Sequence, residues 1–394
     1  MRYASITERL ADLGSGKWTL HFTARTRAAA GEPVIELTIG EPDIPPHPAL
    51  AEECARAIAA GRTRYSDGRG EPPLLKALAE KYSRRTGRAI TTENVLCFPG
   101  TQTALFAVLL GLVETGDEVL VGDPLYATYD GLIRASGAAK RPVPLKAEHG
   151  FRIQADDIET AITPASRVLL LNTPHNPTGA VLPREAIAAI GAVCKRHDLW
   201  IVCDEVYEEL IFDGEFASPL DQADLAERTV VASSISKSHG APGFRSGWAV
   251  GPEEFCRRIQ PVGETMLFGN QPFIADMTAY LLSHRFDTSA RMREAYARRA
   301  RLIAEILSTA PGLQPIPPEA GMFILVDVTG TGMTGEQFAW SVLDNTKVAI
   351  MPGSSFGEQA GNLVRISLTA PDEKIAEGCR RIAAFAAGLA DARL

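Results

Sequence analysis

Short apolar runs alternate with amphipathic stretches along about the first two thirds of the chain. Each run has four or five residues and is bounded by Gly, Pro, Asn or Asp, as is typical of buried strands. The runs are Val95–Pro99, Glu118–Gly122, Arg141–Leu145, Val168–Asn172, Trp200–Asp204, Val230–Ser234 and Gly247–Val250. Stretches between them, such as Thr103–Val113 and Arg184–His197, have the spacing of amphipathic helices. The alternation predicts βαβ units and a mainly parallel sheet with helices on both faces.

After Ala275 the pattern changes. Phe286–Leu307 is one helical stretch, too long for an ordinary crossover, which indicates a link between two domains. Beyond it we expect strands and helices of a smaller α+β domain, which the strand Val34–Ile39 joins. These strands are Met322–Val328, Val348–Met351 and Leu363–Leu368, and the helices are Glu336–Leu343 and Glu373–Leu389. The predicted division is an N-terminal arm that shares in the small domain (1–45), a large domain (46–285) and a small C-terminal domain (286–394).

The composition is that of an ordinary folded protein with two domains. The 394 residues are 45% hydrophobic and 22% charged, and the net charge of −8 does not favour binding to nucleic acid. The longest apolar run, Ala104–Val113, is too short to cross a bilayer, and charges interrupt the N-terminus where a signal peptide is apolar. The six cysteines show neither CxxC pairs nor zinc spacing, so no metal site is predicted. We therefore expect a cytoplasmic protein without nucleic-acid or membrane partners.

A lysine with hydroxyl and arginine neighbours is the first candidate for chemistry. Lys237 directly follows a predicted strand, with Ser234 and Ser236 before it and Arg245 eight positions after it. Hydroxyls and an arginine suit a phosphate, and a lysine suits an aldehyde. The segment indicates a phosphate-bearing aldehyde cofactor held as a Schiff base. The alternative is a solvated basic turn in which the serines act as caps.

Two further motifs follow apolar strands. Asp204 ends the strand that begins at Trp200, and Tyr207 stands three positions later. Because ligands of open α/β sheets bind at the carboxyl ends of strands, Asp204 is placed to hold a protonated pyridine nitrogen. Asn176 lies between two prolines in a loop that ends at Gly179, which fixes its amide toward the same edge. The alternatives are a helix-capping aspartate and an ordinary turn.

These motifs occur in one order together with G-E-P-D at Gly40 and N-x-V-R-I-S around Arg365. In these motifs and in their order, the chain resembles the class I/II pyridoxal-phosphate aminotransferases, the group that includes aspartate aminotransferase. The resemblance extends from Gly40 to Arg365. It implies fold type I, an α/β three-layer sandwich with a mainly parallel seven-stranded sheet plus a smaller α+β domain. It also implies a homodimer with shared active sites.

The resemblance implies a role for each cofactor residue. Lys237 would form the Schiff base with pyridoxal 5′-phosphate and then move the proton at the substrate Cα, while Asp204 keeps the pyridine nitrogen protonated. Tyr207 and Asn176 would bind the 3′ oxygen of the cofactor. The phosphate would be bound by Ser234, Ser236, Arg245 and the helix-opening turn that contains Thr101 and Gln102. Tyr126 would stack on the ring, and Tyr65 would reach the phosphate of the neighbouring subunit.

The resemblance also implies a substrate pocket. Arg365 is a charge in an apolar run, which is costly unless it is paired, and an α-carboxylate is a good bidentate partner for it. Asn176 would contribute to the same pocket, and Gly40 and Trp18 would close over the substrate. The reaction implied is a ping-pong exchange between an L-amino acid and a 2-oxo acid.

Members of this family that prefer acidic donors provide a second cation for the side-chain carboxylate. The segment in which some of them have an arginine reads here Thr265–Gln271 and contains none, and Gln102 stands where others have a lysine. We therefore expect a neutral or aromatic donor rather than aspartate, unless Lys17 or Arg25 substitutes. Two alternatives remain on the same fold: a β-lyase of the cysteine-S-conjugate type and a non-catalytic cofactor-binding regulator.

Overall fold

A computed structural model describes residues 1–11, 13 and 16–391. The strands are β1 (Ile35–Glu36), β2 (Val95–Phe98), β3 (Glu118–Asp123), β4 (Ala139–Pro144), β5 (Ser166–Asn172), β6 (Trp200–Asp204), β7 (Thr229–Ser234), β8 (Gly247–Val250), β9 (Gln314–Ile316), β10 (Phe323–Asp327), β11 (Val348–Ala349), β12 (Met351–Pro352) and β13 (Leu363–Ser367).

The α-helices lie between and around these strands. They are α1 (Ser5–Arg9), α2 (Thr19–Ala29), α3 (Ala49–Ala59), α4 (Pro72–Thr86), α5 (Thr101–Leu112), α6 (Tyr129–Ser136), α7 (Ala155–Ala161), α8 (Arg184–Arg196), α9 (Ile235–Ser238), α10 (Glu253–Met266), α11 (Pro272–Ser283), α12 (Thr288–Leu307), α13 (Gly335–Thr346) and α14 (Asp372–Asp391). No helix in the described ranges is both long and apolar enough to cross a membrane.

The large sheet has seven strands in the order β2-β8-β7-β6-β5-β3-β4. β8 is antiparallel to both of its neighbours, and the other pairings are parallel. The register places Asn172 of β5 opposite Asp204 of β6. The parallel strands β3, β5, β6 and β7 therefore end at one edge of the sheet, where open α/β sheets bind their ligands.

Alternation along the strands builds a core on each face of this sheet. Leu169 and Ile201 belong to one buried cluster, whereas their chain neighbours Val168 and Val202 belong to another. Because successive strand residues point to opposite faces, an apolar residue at every position buries both faces. Helices cover both clusters, so the large sheet is the middle layer of a three-layer sandwich, and the predicted fold class is confirmed.

The smaller sheet is antiparallel, with strand order β12-β13-β10-β9. A third core packs α12, α13 and α14 against it, and this core includes Leu20, Ala24 and Leu37 from the N-terminal part of the chain. β1 pairs in parallel with β11, which joins the two ends of the chain. The domain limits at residues 45 and 285 stay a prediction.

All seven strands predicted for the large sheet are present, with ends that move by at most two residues. In the small domain three details of the prediction are wrong. The run Val34–Ile39 forms a strand only at Ile35–Glu36, the run Val348–Met351 divides at Ile350 into β11 and β12, and β9 was not predicted. β9 has three residues with a central proline and lies at a sheet edge, so it carries no apolar run that would reveal it.

Candidate active site

The candidate site lies at the carboxyl edge of the large sheet. Asn172, Asp204 and Ser234 are the last residues of three adjacent strands, β5, β6 and β7. Lys237 lies in the short helix α9 that follows β7, and at the start of this helix the Ser236 N–H donates to the Ser234 side chain. Sequence-distant groups meet here because parallel strands bring their carboxyl ends to one edge.

A cleft of about 370 Å³ opens at this edge. It is lined by thirteen of the fourteen predicted site residues: Trp18, Gly40, Thr101, Gln102, Tyr126, Asn176, Asp204, Tyr207, Ser234, Ser236, Lys237, Arg245 and Arg365. The remaining one, Tyr65, lies outside the cleft with its side chain 91% exposed. Tyr65 was predicted to serve the neighbouring subunit, so its place outside this chain's own cleft agrees with that expectation without testing it.

The amino end of α5 forms an anion-binding wall of the cleft. Gly100 precedes the helix with φ of +88°, and a Cβ at this position would lie 2.1 Å from Nη2 of Arg245. Glycine is therefore needed for the guanidinium to approach the first turn. Thr101 Oγ1 is buried and has no hydrogen-bond partner in the part of the chain that the structure describes. Together with the free N–H groups of the first turn, these groups suit a phosphate.

Arg245 is held by carbonyl groups rather than by a carboxylate. Its φ of +51° lies in the left-handed region, which is uncommon for a residue with a side chain. The guanidinium donates to the carbonyl oxygens of Pro242 at 2.8 Å and Pro99 at 3.3 Å, and it lies 3.5 Å from Ser236 Oγ. Its positive charge is therefore directed into the cleft without an acidic partner among the described residues.

Asp204 is buried and acts as a hydrogen-bond acceptor for two groups. The hydroxyl of Tyr129 donates to Oδ2 at 2.7 Å, and the N–H of Val206 donates to Oδ1 at 3.1 Å. Burial raises the pKa of Asp204 to about 6, while both hydrogen bonds favour the charged form. A carboxylate in this state is suited to hold a protonated pyridine nitrogen.

Sequence reasoning missed Tyr129. It begins α6, three residues after Tyr126, and the two rings make an edge contact with centroids 5.4 Å apart. The signal that was available is this spacing, because two tyrosines three positions apart near a helix start can face the same cleft. Tyr126 itself lines the cleft, and its stacking on the cofactor ring stays a prediction.

Lys237 is partly buried, and Nζ donates to the carbonyl oxygen of Gly40 at 2.6 Å. Burial lowers the pKa of Lys237 to about 8, and the positive charges of Arg365 and Arg245 lower it further, whereas Glu41 and Asp204 oppose the change. An amine with this pKa is substantially neutral near pH 8, which is the form that attacks an aldehyde or accepts a proton.

Arg365 is the most deeply buried cation of the cleft, with 1% of its surface exposed. Its guanidinium lies between the rings of Phe323 and Phe356, at 3.7 and 4.2 Å from their centroids. It donates to Asn176 Oδ1 at 3.1 Å and to the carbonyl oxygen of Thr38 at 2.8 Å, but Nε has no partner in the described residues. Burial lowers the pKa of Arg365 to about 9, as expected for a charge that lacks an anion.

Asn172 connects the acidic and the cationic parts of the cleft. Its amide nitrogen donates to the carbonyl oxygen of Asp204 at 3.0 Å, and its Oδ1 accepts from the backbone N–H of Asn176 at 2.8 Å. Asn176 in turn accepts from Arg365. The rigid loop predicted around Asn176 is thus tied to β6 on one side and to β13 on the other.

The residues present fit pyridoxal phosphate. An orphaned buried hydroxyl, a helix amino end and an unpaired arginine suit its phosphate, Asp204 suits its ring nitrogen, and Lys237 suits its aldehyde. No group of three or more His, Cys, Asp or Glu side chains that could hold a metal occurs among residues 1–11, 13 and 16–391.

The chain is similar to aminotransferases over nearly its whole length. The model of the family "Aminotransferase class I and II" matches residues 32–382. An arginine–pyruvate transaminase of Pseudomonas aeruginosa is 41% identical over 389 residues, which is 99% of each chain. An aspartate/prephenate aminotransferase of Thermus thermophilus is 33% identical over 356 residues, covering 90% of this chain and 91% of the relative.

Solved structures agree with these relatives. The aspartate aminotransferase of Thermus thermophilus, solved with maleate, superposes with a TM-score of 0.91 at 30% identity and covers 98% of this chain and 100% of its own. That of Rhizobium meliloti gives a TM-score of 0.93 at 28% identity, covering 98% of this chain and 99% of its own. The chain therefore belongs to the class I and II aminotransferases and is an enzyme that uses pyridoxal phosphate to exchange amino groups between amino acids and 2-oxo acids.

Proposed function

We propose that the enzyme transfers the amino group of an L-amino acid without a side-chain carboxylate to a 2-oxo acid in two half-reactions at one site. The observation that carries the proposal is Arg365, a fully buried guanidinium with an unpartnered Nε and no acidic neighbour within ion-pair distance among the described residues. Both an amino acid and a 2-oxo acid bring the α-carboxylate that such a group binds bidentately. One anchor can therefore serve both half-reactions.

In this proposal, several other residues of the cleft also have roles in the transfer reaction. When bound, the cofactor supplies an electron sink for the charge that develops at the substrate Cα. Lys237 removes and returns the proton at Cα, since its lowered pKa provides a neutral amine near pH 8. Asp204, supported by Tyr129, holds the proton on the ring nitrogen. Tyr207 and Asn176 bind the 3′ oxygen.

The phosphate is held by the groups around the amino end of α5. Arg245 and Thr101 provide an unpaired charge and an unpartnered hydroxyl, and the serines of α9 and its cap provide two further hydroxyls. Gln102 follows Thr101 in the same turn. Trp18 lines the cleft and packs with Ala127 and Phe356, a position from which it can cover bound substrate.

We further propose that two copies of the chain share their active sites. Tyr65 and Phe268 are 91% and 66% exposed, and their rings contact each other with centroids 5.9 Å apart. Beside them Asn270 is buried, and neither of its amide atoms has a partner in the described residues. An exposed aromatic pair next to an unsatisfied amide is the composition of an interface, and a second copy would bring Tyr65 to the neighbouring phosphate.

The donor preference rests on the charges that line the cleft. Apart from Lys237, Arg245 and Arg365, the described lining contains no cation that could bind a second carboxylate. Lys17, one of the two substitutes considered, forms an ion pair with Asp130 at 3.1 Å, and Arg25 is exposed on α2 and does not line the cleft. A neutral or aromatic donor is therefore favoured over aspartate.

A cationic donor is the second candidate, because a relative 41% identical to this chain is named an arginine–pyruvate transaminase. Glu41 lines the cleft, is exposed, and has no hydrogen-bond or ion-pair partner among the described residues. Its carboxylate is available to a guanidinium on the donor. If arginine is the donor, Glu41→Gln lowers kcat/KM for arginine more than for leucine.

Donor profiling with pyruvate as acceptor tests the proposal. We expect L-leucine, L-phenylalanine or L-arginine to give a higher kcat/KM than L-aspartate. We expect Gln102→Lys, which adds a cation to the lining, to raise the aspartate value selectively. A wild-type enzyme that prefers aspartate would overturn the donor assignment while leaving the aminotransferase activity intact.

The same preparation separates transfer from elimination. Transfer requires a 2-oxo acid in stoichiometric amount, whereas a β-lyase releases pyruvate and ammonia from a cysteine S-conjugate without an acceptor. We expect Lys237→Ala to lose the visible absorbance of the bound cofactor and nearly all turnover, and retention of both would refute the role of Lys237. A non-catalytic regulator is not supported by the relatives, which are named as transaminases. The cytoplasmic location stays a prediction from the sequence.

A further inference from the structure

Arg299 is a buried arginine on α12 that contacts residues from both ends of the chain. It is 6% exposed, although it carries a full charge. Its Nη1 and Nη2 bind the two carboxylate oxygens of Asp43 at 3.0 and 2.9 Å. Its Nε donates to Asp372 at 2.8 Å, and Nη1 also donates to the carbonyl oxygen of Leu368 at 2.9 Å. This guanidinium on α12 therefore joins two other chain segments, one that contains Asp43 and one that runs from Leu368 to Asp372, and its hydrogen bonds with the two carboxylates are charge-assisted on both sides.

The first of these segments is the stretch from Leu37 to Asp43, which forms one wall of the cleft. Consecutive carbonyl groups in it are used by groups of the site. The Leu37 carbonyl oxygen accepts from the Ser367 N–H, that of Thr38 from Arg365, that of Ile39 from the Ser367 and Thr369 hydroxyls, and that of Gly40 from Lys237. A displacement of this stretch would therefore move the contacts of both Lys237 and Arg365.

The second segment is the end of β13, which carries Arg365. Arg299 binds the carbonyl oxygen of Leu368, three residues beyond Arg365. Packing adds to this restraint, because a Cβ on Gly40 would lie 2.2 Å from the Phe323 ring, and that ring stacks on Arg365 at 3.7 Å. The wall therefore packs closely against the Phe323 ring, which in turn contacts Arg365.

We propose that the Arg299–Asp43 ion pair is a clamp that positions the Gly40 wall and Arg365 for the α-carboxylate of both substrates. Arg299 and Asp43 do not line the cleft, so they act through Gly40 and Arg365 as positioning residues. The inference rests on the proposed role of Arg365. Since donor and acceptor share that carboxylate, loosening the clamp has one signature: it raises KM for both.

The chain offers a matched control in the neighbouring residue. Arg298 also binds Asp372, at 2.8 and 3.2 Å, but it does not contact Asp43 and its side chain is half exposed. Arg298→Lys therefore perturbs the same acidic partner and the same helix while leaving the contact with Asp43 in place. Any effect specific to the clamp must be absent from this variant.

The test uses the cofactor-loaded enzyme, with active sites counted from the cofactor released by alkali. We expect Arg299→Lys and Asp43→Asn each to raise KM for the donor and for the 2-oxo acid about tenfold, with kcat per loaded site changed less than about threefold. We expect Arg298→Lys to change neither KM by more than about twofold. The double variant Asp43→Asn with Arg299→Lys should be no worse than the poorer single variant, because both break one contact.

Two results separate the failure of this inference from failure of the proposed function. If Arg365→Gln leaves both KM values unchanged, the role of Arg365 is wrong and the clamp has nothing to position. If Arg365→Gln raises both KM values but Arg299→Lys and Asp43→Asn do not, only the clamp is overturned. An equal effect of Arg298→Lys would also overturn it. Should Arg299→Lys fail to fold, Asp43→Asn carries the test, since it keeps the size of a partly exposed side chain.

Discussion

The hydrogen bond from Tyr129 to Asp204 gives the most direct test of how this chain tunes its cofactor. The change is Tyr129→Phe, which removes only the hydroxyl that lies 2.7 Å from Oδ2 of Asp204. A hydrogen bond to a charged group contributes about 1.5 to 3 kcal/mol, and one pH unit of pKa corresponds to about 1.36 kcal/mol. The Asp204 pKa, about 6 in the intact site, should therefore rise by about one to two pH units in the variant.

The assay is the binding of pyridoxamine 5′-phosphate to the cofactor-free enzyme between pH 5 and pH 8.5. This ligand has an amine in place of the aldehyde, so its affinity does not depend on a bond with Lys237. Affinity should fall on the acid side once Asp204 is protonated and no longer attracts the protonated ring. In the wild type the fall should begin near pH 6, and in Tyr129→Phe it should begin about one to two pH units higher.

A control variant makes the same chemical change away from the site. The hydroxyl of Tyr82 is buried on α4 and accepts from Nε1 of Trp248 at 2.8 Å. Tyr82→Phe should lower the melting temperature without moving the acid limb of the binding curve. If Tyr129→Phe folds and binds with the wild-type pH dependence, or if Tyr82→Phe shifts that dependence equally, the assignment of the Asp204 pKa to this hydrogen bond is refuted.

The stability of the cofactor-free enzyme provides a second measure with a definite sign. Because burial raises the Asp204 pKa above its unfolded value, the folded state binds the proton more tightly between about pH 4 and pH 6. The contribution of Asp204 to the free energy of unfolding therefore decreases as the pH rises through this range. In Tyr129→Phe the loss should continue to a higher pH, which urea unfolding at pH 5 and pH 8 would detect.

Three further outcomes are expected. Arg365→Met should lower kcat/KM by about a hundredfold or more and yet raise the melting temperature of the substrate-free enzyme, since it removes a buried charge without an anion, as enzyme assays and calorimetry would show. The rate at which cofactor-free enzyme captures pyridoxal phosphate should rise about tenfold per pH unit below pH 8 and level off above it, because Lys237 reacts as the neutral amine. Arg85→Met should destabilise the protein by about 3 to 5 kcal/mol in urea unfolding, because it leaves the buried carboxylates of Glu205 and Glu208 without the guanidinium that binds them at 2.7 and 3.0 Å.

The large sheet could be predicted because both of its faces are buried. Strands covered on two sides require apolar residues at every position, as in the run 200–203, and such runs stand out against the helices between them. The small domain lacks this signal. β9 is an edge strand with a proline at its centre, and β11 and β12 have two residues each, so their pairing depends on partners that are distant in the sequence.

The candidate site likewise contains residues that the sequence predicts and residues that it does not. The place of Lys237, Asp204 and Asn176 in the cleft could be predicted because each lies at or shortly after the end of a strand, where local sequence fixes the position. For Tyr129 the sequence offers only its spacing from Tyr126, and for Arg299 it offers no signal, because their contacts with Asp204 and Asp43 span 75 and 256 positions of the chain. Such contacts exist only once the fold has brought the two segments together.

The unpaired charges of the cleft also explain why such distant supports are needed. Lys237, Arg245 and Arg365 each lack an acidic partner within ion-pair distance among the described residues, and for Lys237 and Arg365 burial penalises the charged form. Arg299 is buried as well, but it has two carboxylates and a carbonyl oxygen around it. Arg299 restrains the backbone stretch whose carbonyl oxygens bind Lys237 and Arg365. Loosening the contacts of Arg299 should therefore impair substrate binding before it impairs folding.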